Sequence, residues 1–101
     1  MKACLLALVL VTEAWAGTPS DTRQQQLIHL LKHDCGSCHG LTLQGGLGPA
    51  LLAEAIADKA DAFLLTTILN GRKGTAMPPW RDFISPAEAQ WLVSYLRHHQ
   101  N

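Results

Sequence analysis

The 101 residues carry eight basic and eight acidic side chains, so the formal net charge is zero. That balance argues against a nucleic-acid binder, which needs a basic face, and against long-range steering toward a strongly charged partner. With 48% apolar residues the chain is globular rather than disordered, and its length suits one domain.

Met1-Lys2 is a short basic start, residues 3–11 are an apolar run, and Ala14-Trp15-Ala16 matches a small-x-small cleavage pattern. This predicts a signal peptide over residues 1–16, cut after Ala16, and export of residues 17–101 as the folded domain. The run is too short, and too soon broken by Glu13, to span a bilayer well; the competing reading is an uncleaved membrane anchor. No membrane span is expected once the leader is gone. Cys4 lies inside the leader as a small apolar residue, so the exported chain keeps only Cys35 and Cys38, in an oxidising compartment.

Ser20 or Asp21 is a helix cap, and Leu27, Ile28, Leu30 and Leu31 recur at helical spacing. The spacing predicts a first helix to about His33, with Leu27 and Leu31 in the core and His29 and His33 on the surface. It delivers Cys35-Gly36-Ser37-Cys38-His39, a Cys-x-x-Cys-His run. This is the attachment pattern for c-type haem. Two cysteines three apart lie on one side of a helical turn and reach the two vinyl groups of one porphyrin. His39 then offers an imidazole nitrogen to the iron. Three rivals fit less well. A redox dithiol wants a βαβ setting, a structural zinc site wants a second ligand pair, and a Cys35–Cys38 disulfide would close a tiny loop.

Residues 40–50 form a glycine-rich loop with Gly45, Gly46, Gly48 and Pro49. Leu51, Leu52 and Ile56 suggest a short helix or apolar patch. A clear helix starts at Asp61, with Phe63, Leu64 and Ile68 as its apolar face and Leu65 or Leu69 as additions. It ends at Gly71, with Arg72 and Lys73 at the negative end of its dipole. Residues 74–80 hold Met77-Pro78-Pro79-Trp80. The prolines forbid helix and stiffen the loop. A methionine held there presents a thioether, a soft ligand suited to haem iron opposite a histidine. Trp80 is expected to pack in the core. Ser85, Pro86 and Glu88 make a capping box, and Trp91, Leu92, Tyr95 and Leu96 form a stripe that should pack on the first helix. His98 and His99 fall in the tail.

Cys35 to His39, Gly48-Pro49, Met77-Pro78-Pro79 and the aromatic last helix together resemble the small bacterial class I monohaem cytochromes c. The likeness is strongest to the periplasmic cytochrome c55X proteins of denitrification (nitrite reductase) clusters. The resemblance implies an all-α class I fold, three main helices wrapped around one covalent haem c, with His39 and Met77 as axial ligands. It also implies that the Pro49 carbonyl accepts a hydrogen bond from the other His39 ring nitrogen. The chain would then be a periplasmic monomer carrying one electron at a time between redox proteins, with cytochrome cd1 nitrite reductase as acceptor. Gly45, Gly46, Leu47 and Ala76 are candidates for the docking rim. Two alternatives remain open at this point: an accessory role in maturing haem d1 or the reductase, and a five-coordinate haem enzyme if Met77 does not ligate.

Overall fold

A computed structural model describes residues 17–98. The expected leader, residues 1–16, and the tail residue His99 lie outside them. Among the described residues every regular element is helical, and there is no strand.

Helix α1, Asp21–Leu30, starts where Ser20 accepts a hydrogen bond from the Arg23 backbone N–H at 3.2 Å, with Asp21 in the first turn. The sequence places its end near His33. Instead the rod continues through a wide π turn, Leu31–Cys35, into α2, Gly36–His39. In an α-helix, residues four apart drift round the axis by about 40°. A wider turn takes that drift back. Leu27 and Leu31 are both buried, and Cys35 packs half-buried against the same core. The motif is thus phased by the rod that carries it.

Helix α3, Ala53–Ile56, buries Ile56, and α4, Asp61–Asn70, buries Leu69. Phe63, expected on the apolar face, is 45% exposed and lies under the Arg72 guanidinium, 5.8 Å from its ring centre. Helix α5, Pro86–His98, begins with the capping box. The Glu88 N–H donates to Ser85 Oγ at 3.1 Å, and the Ser85 N–H donates to Glu88 Oε1 at 2.8 Å. It buries Ala89, Leu92, Val93 and Leu96, while Trp91 and Tyr95 stack on each other half-buried. The expected packing on α1 is present, but α5 lies more extensively along α4.

Two arginines tie these helices together. Arg23 of α1 pairs with Glu88 of α5 and donates to the Phe83 carbonyl at 2.9 Å. Arg97 donates to Asp61 Oδ1 at 2.9 Å and to the carbonyls of Ile56 and Lys59 at 3.2 and 2.6 Å, fastening α5 to the α3–α4 corner. No helix among the described residues is long and apolar enough to cross a membrane.

Candidate haem site

Cys35 closes the π turn, and Cys38 and His39 sit on α2; all three are half-buried. Both cysteines are free thiols, so the disulfide alternative is not realised. Burial pushes the Cys35 thiol up to about 11, with the Asp34 and Cys38 charges adding to the effect. A reactive redox dithiol needs the opposite, a thiol lowered toward neutrality. No cluster of three metal-ligating side chains stands among the described residues.

A helix end leaves carbonyls without partners. At the end of α2, the glycine-rich loop supplies them. The Gly48 N–H donates to the Cys38 carbonyl and the Gly45 N–H to the His39 carbonyl, both at 2.8 Å. Leu43 takes a positive φ of 62° in this loop, held there while its side chain packs on the core. The same loop brings Pro49 to the His39 ring, where Nδ1–H donates to the Pro49 carbonyl at 2.6 Å. That bond fixes the tautomer and leaves the Nε2 lone pair as the available donor to a metal. Gly48 lies directly against the ring. A Cβ there would meet His39 Cε1 at 2.8 Å and Nδ1 at 2.9 Å.

Met77 is carried by a different loop, anchored on α4 rather than on the motif helix. The carbonyls at the end of α4 are again met by the chain that follows. The Gly71 N–H donates to Thr67 O at 2.9 Å, Trp80 to Ile68 O at 3.0 Å and Arg81 to Leu69 O at 3.2 Å. The Arg72 N–H reaches the Met77 carbonyl at 3.2 Å, and the Met77 N–H reaches Thr75 Oγ1 at 3.3 Å. Gly71 takes φ 68° and ψ −170°, a region all but closed to other residues. A Cβ on it would stand 2.6 Å from Met77 O and 2.8 Å from Pro78 C. Met77 and Trp80 are half-buried, and Trp80 packs against the core as expected.

The donor set fits a c-type haem: two free thiols one helical turn apart, an imidazole oriented through Nδ1, and a thioether on a stiff loop. Sequence reasoning missed two parts of this arrangement. Gly71 reads as a plain helix stop, and Thr75 as a loop residue, although the signal was there in a glycine six residues ahead of Met-Pro-Pro.

A family profile described as "Cytochrome C oxidase, cbb3-type, subunit III" matches residues 22–96. Cytochrome c55X of Paracoccus denitrificans (strain Pd 1222) is 44% identical over 95 residues, covering 94% of this chain and 92% of that one. The solved structure titled "c-type cytochrome NirC" is 54% identical with a TM-score of 0.77, covering 78% of this chain and 93% of that one. A part of a second solved structure, "Dihydro-heme d1 dehydrogenase NirN in complex with DHE", also matches. It is 35% identical with a TM-score of 0.64, over 70% of this chain but 15% of that one. These likenesses and the helical architecture give the class I cytochrome c fold, and the chain belongs to the cytochrome c55X family of c-type cytochromes.

Proposed function

We propose that this cytochrome is a one-electron carrier that works in the periplasm after removal of residues 1–16 by a cut following Ala16. Cys35 and Cys38 would hold one haem c through thioether bonds, and His39 Nε2 and Met77 Sδ would be the side-chain donors to its iron. When bound, the haem supplies an iron that accepts and releases a single electron.

The protein's own part is to keep both ligands fixed. Pro49 holds the proton on His39 Nδ1, which orients the ring and raises its basicity. Residues 71–80 hold Met77 by its backbone. Two protein ligands leave no position for a substrate, which favours a carrier over an enzyme. A thioether partner stabilises the reduced form and raises the potential. The observation that carries this reading is the 2.6 Å bond from His39 to Pro49 in a Cys-x-x-Cys-His helix.

Leu47, 92% exposed, and Leu41, 74% exposed, stand on the loop beside that histidine. An apolar rim of this kind, with Gly45, Gly46 and Ala76 as its further candidates, suits the small, transient contacts of redox partners. The protein acts as a monomer, with cytochrome cd1 nitrite reductase as acceptor.

The likeness to part of a dihydro-haem d1 dehydrogenase favours a second setting for the same chemistry, in which the carrier serves the maturation of haem d1. A strain lacking this protein separates the two. Full d1 haem with slowed nitrite reduction supports the donor role, and depleted d1 haem supports the maturation role.

The ligand assignment is tested by mass spectrometry and a ferric optical spectrum of the exported protein. One added haem mass on residues 17–101, and a methionine-to-iron band that Met77→Ala removes, are expected. A colourless chain of unmodified mass would overturn the reading.

A further inference from the structure

His29 lies in the last turn of α1 and His33 in the π turn that follows. Both side chains are exposed. Their ring centres stand 4.2 Å apart with the planes tilted by 38°. Among the described residues no hydrogen bond or ion pair engages either ring. Two imidazoles therefore converge at the surface of a rigid rod without serving the core, a cap or the Cys-x-x-Cys-His motif.

Imidazole nitrogen binds borderline divalent ions at about 2.0–2.1 Å, so two rings at a right angle on one ion have centres roughly 4.5 Å apart. The observed 4.2 Å is close to that spacing. Residues four apart on a helix are neighbours on one face, so the backbone has already brought the pair together. The second metal–nitrogen bond then costs little ordering entropy. Hard ions such as Ca²⁺ and Mg²⁺ prefer oxygen donors and are not served by this pair.

We infer that His29 and His33 form a two-imidazole chelate for one borderline divalent transition ion, of the class Cu²⁺, Ni²⁺ or Zn²⁺, with water completing the coordination. The order of affinity follows the usual series, with Cu²⁺ held most tightly. The site is separate from the carrier reading, because it uses neither thiol and neither proposed axial ligand.

The test is calorimetric titration of the exported ferric protein with Ni²⁺, after a thiol assay shows that Cys35 and Cys38 are consumed by haem linkage or have been blocked. One Ni²⁺ per chain is expected. His29→Gln and His33→Gln should each weaken binding at least tenfold. The double variant should lose little more than either single one, since both rings serve one ion. A His98→Gln, His99→Gln double variant should leave binding unchanged. Zn²⁺ should raise the thermal midpoint of the wild type but not of the His29 or His33 variants, because the chelate exists only in the folded helix. Unchanged Ni²⁺ affinity in either single variant, or loss of binding in the tail variant, would overturn the site.

Discussion

The two loops that flank the proposed haem site solve the same problem in opposite ways. Residues 40–50 and 71–80 each cap the carbonyls at the end of a helix, α2 in one case and α4 in the other. On the first side the candidate ligand belongs to the helix, and the loop orients it. His39 is fixed by one hydrogen bond from a ring that has few ways to turn. On the second side the candidate ligand belongs to the loop, and the helix end orients it. Met77 is gripped through its carbonyl, its N–H and the close approach of Gly71. The difference follows from the side chains. A methionine has three rotatable bonds, so its position is controlled from the backbone. An imidazole is controlled from its far nitrogen.

Gly71→Ala tests the backbone side of that contrast and carries the largest expected effect. The new Cβ would be 2.6 Å from Met77 O and 2.8 Å from both Pro78 C and Pro79 N, all backbone atoms with little freedom to yield. The backbone at φ 68° adds strain of its own. A loss of about 2–4 kcal/mol is expected, read as a fall of roughly 10–20 °C in the thermal midpoint of the exported protein. A fall below roughly 5 °C would show that the Met77 loop moves independently of the end of α4.

Gly48→Ala tests the other side, with a smaller cost and a different signature. Its Cβ would collide with the His39 ring, at 2.8 Å from Cε1 and 2.9 Å from Nδ1. A ring on a rotatable bond can swing away, so the fold should lose only about 1–2 kcal/mol. Swinging away breaks the bond to Pro49. The His39 Nδ1–H resonance in an NMR spectrum should shift or vanish. Retention of the Nδ1–H signal would mean that the ring is held by something other than Pro49 and Gly48.

These two glycines also mark how far the sequence is legible. Gly48 lies nine residues from His39, inside a loop whose composition announces a tight path; the family resemblance brings the neighbouring Pro49 to His39, and the approach of Gly48 to the ring is visible only in the fold. Gly71 touches Met77, Pro78 and Pro79 through a backbone contact that composition does not signal. The same boundary between local and tertiary information recurs elsewhere. Ser20 and the Ser85–Glu88 box are local chemistry and stand where the sequence places them. Helix α4 is apolar on most sides, so periodicity could not choose its phase. Leu69 turns out buried and Phe63 exposed. The π turn at Leu31–Cys35 leaves no mark in residue type, because it serves to align Cys35 with a core assembled from other helices. Arg23 finds Glu88 across 65 positions.

That last pair gives a reference point away from both loops. The Glu88 carboxyl is held below the usual carboxylate range, first by the hydrogen bond from Arg23 and then by the Ser85 backbone N–H, against the opposing effect of burial. A carboxyl lowered in this way binds protons more weakly folded than unfolded. Its contribution is therefore complete above the unfolded value of about 4.3 and is lost as pH falls through the lower folded value. The side chains of Arg23 and Glu88 are 31% and 19% exposed, so solvent screens the pair and about 1 kcal/mol is at stake. Thermal midpoints measured from pH 6 to pH 3 should fall more steeply for the wild type than for Glu88→Gln, by roughly 4–8 °C at the acid end. The His39 and Met77 signatures should follow pH identically in the wild type and in Glu88→Gln, because the ion pair joins α1 to α5 and enters neither loop. Parallel slopes in the two proteins would show that the pair adds nothing to the fold. A shift of the His39 signal in the wild type alone would show that the α1–α5 seam and the motif rod behave as one unit, and the contrast between the two loops would then have to be drawn again with the rod's own strain included.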